Sequence, residues 1–290
     1  MRRSSWLPRS ALGWVAFGGL AVLLALTAYA LTTDAISQKI GVDVSAYWNA
    51  AERLRAGQPL YVAGAANASD LYRYAPWFAY LWIPLTSFDR AIVTAGWVGL
   101  MICAALISTL PLLRSGPPGW AAFAILAPLQ LQAAVYGNVQ PLLVLVLLWG
   151  VERRSGPLWI ALCASLKAVP LLLAVVYAAR GEWIRAGIAV TLSVALVAPA
   201  FLFDLSGYST ASGPRQMSLA AVSVLLWIPP AIAAIVATWL LARTRYAWVA
   251  AALAMIAALP RLLDYEFGFL LIGLARRESK RGEGGSTPTV

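Results

Sequence analysis

The chain has 290 residues, of which 61% are hydrophobic and 12% charged, with a formal net charge of +10 and no histidine. So little charge excludes a water-soluble domain of this length, and the lack of histidine excludes a His-based triad and a zinc site. The positive charge does not point to nucleic acid, because it sits in short connections between apolar runs.

Arg2, Arg3 and Arg9 precede the apolar run Leu12–Leu31, which at about 20 residues is long enough to cross the hydrocarbon core. No convincing small-residue cleavage site follows, so the run reads as a retained helix and not as a signal peptide. The largest outer loop, Thr32 to Tyr74, comes next. Within it Asp43 opens a segment where Tyr47, Ala50, Ala51 and Leu54 recur at helical spacing, with Glu52, Arg53 and Arg55 on the other face. Gly57 and Pro59 end it. The pattern predicts a short amphipathic helix lying flat in the interface, apolar side down. Asp43 then has two open readings: a general base acting on a substrate hydroxyl, or a cap accepting backbone N–H bonds. Tyr72-Arg73-Tyr74-Ala75-Pro76 leads the chain back into lipid. Arg73 there either holds a phosphate or diphosphate bidentately or belongs to an interfacial belt.

Three further runs, Ala91–Leu113, Ile184–Phe203 and Leu219–Leu241, have spanning length. Four others, Pro76–Phe88, Pro141–Val151, Pro157–Leu166 and Tyr265–Leu274, are too short for simple spans. Broken helices at membrane depth line a polar cavity or pack within protein, so the breaks are the informative places. Gly137-Asn138-Val139-Gln140 is one; the amides of Asn138 and Gln140 suit sugar hydroxyls. Lys167, three residues before Pro170, interrupts another apolar stretch. An ionisable residue there is a functional candidate for offsetting a lipid phosphate, or else it snorkels to the headgroups. Pro260-Arg261-Leu-Leu-Asp264-Tyr265-Glu266 breaks the last stretch; either Arg261 pairs with Asp264, or the group faces the same outer cavity. Cys103 and Cys163 lie in apolar runs and read as packing residues. The segment Asp204 to Ser218 carries Gly, Ser, Thr and Pro and reads as a flexible outer loop. Residues 276–290 form a polar tail whose composition predicts disorder.

The connections fall into two groups. One holds 14 of the 22 Lys and Arg against four acids, a net of +10; the other holds eight of each sign, a net of zero. Positive connections stay cytoplasmic, which puts both termini inside and Asp43, Arg73, Asn138, Lys167 and Arg261 on the outer side. The expectation is an all-α polytopic membrane protein with one domain over residues 1–275, roughly nine to eleven membrane segments, and several broken or re-entrant helices.

The order of these motifs resembles glycosyltransferase family 87, the polyprenol-phosphate-mannose-dependent membrane mannosyltransferases of the GT-C class. The resemblance rests on Asp43-x-x-x-Tyr47-x-x-Ala50 with Gly57 and Leu60-Tyr61, on Tyr74-x-Pro76 running to Pro84-Leu85, and on Gly137-Asn138-Val139-Gln140. It continues through Ser165-Leu166-Lys167-x-x-Pro170 with Arg180-Gly-Glu-Trp183, and ends with Pro260-Arg261 and Asp264-Tyr265. Asn138 and Gln140 stand where the family has Gln and Asn, and the stretch from Ser206 to Ser218 is short. The resemblance implies a GT-C-like bundle in the cell membrane that transfers a hexose with inversion from a polyprenyl-phosphate sugar to a hydroxyl of a lipid or glycan acceptor. It makes Asp43 the base and Tyr47, Arg73, Tyr74, Asn138, Gln140, Lys167, Arg261 and Asp264 the donor and substrate contacts. It implies no cofactor and leaves a divalent metal open. A flippase for polyprenyl-linked sugar would use the same cations without a base, although the paired repeats that accompany alternating access are not visible; a non-catalytic relative is the third possibility.

Overall fold

A computed structural model describes residues 10–36, 40–64, 71–208 and 218–275. In hydrocarbon each backbone polar group must bond within its own segment, and every regular element among the described residues is helical. In chain order they are α1 (Ala11–Ile36), α2 (Val42–Arg55), α3 (Pro76–Trp82), α4 (Arg90–Thr109), α5 (Pro117–Val135), α6 (Gln140–Gly150), α7 (Gly156–Leu166), α8 (Ala174–Ala179), α9 (Trp183–Val197), α10 (Val224–Leu241) and α11 (Ala247–Ala257). Shorter 3-10 segments include Val169–Leu173, just before α8, and Asp264–Leu270. The polar tail and the centre of the 204–218 loop lie outside the described residues.

Four stretches among these are long and apolar enough to cross a membrane: Arg90–Ser115, Pro117–Val135, Trp183–Leu202 and Val224–Leu241. Three match runs expected from the sequence. The fourth, α5, was hidden by Pro128, Gln130 and Gln132, which interrupt its hydropathy. It is also the most enclosed of the four, 44% buried against 17% for the α9 stretch and 11% for α10. Its polar residues are therefore packed in protein: Gln130 donates from Nε2 to the Tyr265 carbonyl at 3.0 Å. The outer flanks of α9 and α10, by contrast, present Ile184, Val194, Leu225 and Leu240 outward, as a lipid-facing surface does.

α2 forms where the spacing predicts, and Gly57 (φ +65°) ends it. Its placement differs from the expectation. Val44, Ala46, Tyr47, Ala50 and Ala51 are buried in the main core and Trp48 is buried under Arg90, so the apolar face of the helix packs on protein. The Tyr47 ring meets Tyr74, Phe78, Trp82 and Trp97 at centroid distances of 5.3, 5.1, 5.1 and 6.1 Å. An aromatic cage of this kind buries more surface and makes better edge contacts than a disordered headgroup layer offers.

Three short helices, α6, α7 and α11, set the depth of the molecule. At one end the turns that follow α6, α8 and α10 are tied together. Arg185 donates to the Arg153 carbonyl (2.7 Å), Arg180 Nε to the Ala242 carbonyl (2.8 Å), and Trp248 Nε1 to Glu152 (2.9 Å). At the other end lie Asn138, Lys167 and Arg261, which border these same three helices. Eleven residues span about 16 Å of helix, roughly half the hydrocarbon thickness.

Candidate functional site

Two glycines bring Asp43 to its position. Gly41 (φ +67°) precedes α2 and Gly137 (φ +74°) turns the chain between α5 and α6. A Cβ on Gly137 would lie 2.5 Å from Val44 Cγ2 and 3.4 Å from Gly41 Cα, so only a bare backbone lets the two turns touch. The contact is then tied by Gly41 N–H to the Val135 carbonyl (2.8 Å) and Asp43 N–H to the Tyr136 carbonyl (2.9 Å). Gly137→Ala combines a strained φ with this clash and is expected to cost about 2 kcal/mol or more, read as a lower thermal midpoint of the purified protein. An unchanged midpoint would mean that the two turns separate freely.

Asp43 does not cap α2. Gly41 holds the cap position, and no side chain bonds the helix start. Its Oδ2 instead accepts from Asn138 Nδ2 at 2.6 Å. Asn138 is itself fixed, because its Oδ1 accepts the Gln140 N–H at 2.9 Å. Burial raises the Asp43 carboxyl above its ordinary range; the Asn138 amide and the charges of Lys167, Arg261 and Arg73 act against that rise.

Asp43, Tyr47, Arg73, Tyr74, Asn138, Lys167 and Arg261 line one cavity of about 380 Å³. Seven of the nine residues singled out in the sequence are thus brought together from the chain between α1 and α3, the α5–α6 turn, the α7 break and the segment after α11. Tyr47, Asn138, Tyr265 and Glu266 are buried and form its floor, while the more exposed Tyr208 stands at the rim. Burial and the neighbouring Arg261 both lower the pKa of Arg73, as expected for two guanidinium groups sharing one cavity.

Two expected contacts fall elsewhere. The Gln140 side chain is wholly buried at the start of α6, with neither Oε1 nor Nε2 bonded, and it does not line the cavity. The Asn138 side-chain Oδ1 accepts the Gln140 N–H, and that local turn sends residue 140 into the helix packing. Asp264 lies outside the cavity as well. Its carboxylate accepts the Tyr265 N–H at 2.9 Å, and no ion pair with Arg261 occurs among the described residues.

Lys167 does not snorkel to a headgroup layer. Its Nζ pairs with Glu266 Oε1 at 3.2 Å and lies 5.0 Å from the Tyr265 ring centre, while Glu266 Oε2 accepts the Leu263 N–H at 3.3 Å. Tyr208 is a cavity residue that the sequence reading did not single out, and Tyr265 and Glu266 stood in the Pro260–Glu266 break without a contact of their own being assigned. Glu266 carried a usable signal, since a carboxylate inside a short apolar run is as costly as the lysine was. Tyr208 carried none.

Compared with protein-family models, with curated proteins and with solved structures, the chain finds no match.

Proposed function

We propose that this chain is a membrane glycosyltransferase that moves a hexose from a polyprenyl-phosphate sugar to a hydroxyl of a lipid or glycan acceptor, with inversion at the anomeric carbon. Mannose is the sugar suggested by the resemblance to glycosyltransferase family 87. The observation that carries the reading is the meeting of one partly desolvated carboxyl, Asp43, with Arg73, Lys167 and Arg261 in a single cavity.

The chemistry follows from that set. The acceptor oxygen attacks the anomeric carbon and Asp43 takes its proton, while the bond from that carbon to the phosphate oxygen breaks. A single displacement inverts the centre, and the lipid leaves as a monophosphate. Charge supports this donor class. Arg73, Lys167 and Arg261 oppose Asp43, Glu266 and the single charge of a phosphodiester. After transfer Asp43 is neutral and the leaving phosphate carries two charges, so the total negative charge in the cavity is unchanged and the same cations offset it in both states. Opposed charges of this kind in a partly buried site hold the leaving group more strongly than they would in water. Lys167 is already neutralised by Glu266, so the mechanism gives the phosphate chiefly to Arg261, with Arg73 lining the same cavity.

The same reading has the basic end of α6, α8 and α10 facing the cytoplasm and the cavity opening outward, with both termini inside. Counting the short helices as membrane segments gives roughly nine to eleven. A cavity set about half a membrane thickness from the basic end suits a donor that enters from the bilayer.

The test is transfer by the purified protein in lipid nanodiscs supplied with polyprenyl-phosphate mannose and a glycolipid extract. Inverted product is expected. Movement of the lipid across vesicle membranes with no transfer would replace this reading by a flippase. Arg261→Gln and Arg73→Gln are each expected to weaken polyprenyl-phosphate binding about tenfold or more, measured by fluorescence titration; equal binding by both variants would remove the phosphate from this cavity.

A further inference from the structure

A count of hydrogens in the cavity floor leaves two donors and one acceptor unspent. The Gln140 N–H bond to Asn138 Oδ1 settles which end of that amide is which, so Nδ2 is the group facing both Asp43 and Tyr265. It donates to Asp43 Oδ2 at 2.6 Å and to the Tyr265 hydroxyl oxygen at 3.3 Å. Tyr265 is therefore an acceptor in that contact, and its own proton has no acceptor among the described residues. The Tyr47 hydroxyl donates to that of Tyr74 at 3.3 Å. Tyr47 is fully buried whereas Tyr74 is partly open, and an unspent donor costs least where it can reach a ligand or water. The Tyr74 proton is the free one. Asp43 Oδ1 likewise accepts nothing among the described residues.

All three groups line the same cavity. An anion is disfavoured beside Asp43, and a hydrocarbon chain would leave all three unpaired. A polyol satisfies them: one hydroxyl donates to the carboxylate, and its own or a neighbouring oxygen accepts from each phenol. We propose that Tyr74 and Tyr265 are hydrogen-bond donors to the oxygens of a sugar that Asp43 holds by a hydroxyl, so that the floor recognises a neutral sugar apart from the arginines that take phosphate. The inference rests on the transferase reading only for what becomes of that sugar.

Tyr265→Phe and Tyr74→Phe test it, because each keeps the ring, its packing and, at 265, the contact with Lys167, and removes the hydroxyl, which is the free donor and also the acceptor for Asn138 or Tyr47; the deoxy pattern reads the donor alone. The probe is octyl mannoside with its four monodeoxy analogues, titrated against the full chain in nanodiscs by tryptophan fluorescence. Wild type is expected to lose about five- to tenfold in affinity for the analogues lacking a contacted hydroxyl. Each Phe variant should bind the parent glycoside more weakly by a similar factor and become indifferent to deoxygenation at one position. Tyr80→Phe, at an exposed tyrosine outside the cavity, should bind every analogue as wild type does. Phe variants that keep the wild-type deoxy pattern, or a wild type that binds no glycoside up to its solubility limit, would overturn the assignment. Glycoside binding with this pattern but without any transfer would leave it standing and reject the transferase.

Discussion

Asp43→Asn is expected to lower sugar transfer by about 10²- to 10⁴-fold, the range for removing a general base, while making the folded protein more stable at neutral pH. Asparagine keeps the shape, and its carbonyl oxygen still accepts from Asn138, so the floor stays intact. The stability gain follows from proton linkage. Burial raises the folded carboxyl above its unfolded value, which is about 3.9. Between the two values the folded state binds more protons than the unfolded one, so stability falls as pH rises through that window and stays lower above it. The amide has no proton to lose. The variant's advantage in thermal midpoint should therefore be present at pH 7 and vanish below about pH 4. The rate has its own pH signature: transfer by wild type should climb with pH through the raised Asp43 value and then level off, so its acid limb lies above the usual carboxylate range. Undiminished transfer by the asparagine variant would reject the base assignment, and a variant less stable at pH 7 would reject the cost of ionising Asp43.

Breaking the Lys167–Glu266 pair in the cavity wall should have the largest effect on folding. Lys167 and Glu266 have side chains only 14% and 6% exposed. Glu266→Ala strands the ammonium against the Tyr265 ring and also leaves the Leu263 N–H without its acceptor. A loss of about 3–5 kcal/mol is expected from removing one partner of such a pair. The joint variant Lys167→Met with Glu266→Leu removes both charges and should recover most of it, because a matched apolar pair carries no desolvation cost. Denaturation of the single and joint variants in one detergent closes the cycle. Losses that simply add would show that the two groups do not depend on each other. The joint variant also separates structure from chemistry: with the arginines and Asp43 untouched, it should still bind polyprenyl phosphate.

The sequence was most legible where a property belongs to one segment. The run Leu219–Leu241 contains α10, and the alternation around Tyr47 with Gly57 behind it marks α2, because periodicity and a left-handed stop act over a few residues. Lys167 stood out for a similar reason, being a charge within an apolar run. The same test applied to Glu266 would have found it, but the neighbouring Arg261 and Asp264 suggested a local pair that the fold does not make. α5 was missed because residues that look like interruptions are packed within protein, as Gln130 is by its bond to the distant Tyr265 carbonyl. Gln140 was misplaced for the opposite reason: its polarity suggests a cavity, while the Asn138 turn directs it into packing.

By itself, then, the order of residues determined an all-helical chain with helices long and apolar enough to span a membrane, a short amphipathic helix opened by Asp43, and a set of polar breaks. Only the tertiary structure decided which breaks face one another. The contacts that build the floor join residues 95, 99 and 127 positions apart. Helix periodicity carries no information over such separations. They arise because Gly41 and Gly137 let two turns touch, and because a buried charge must find its partner wherever the packed helices bring one.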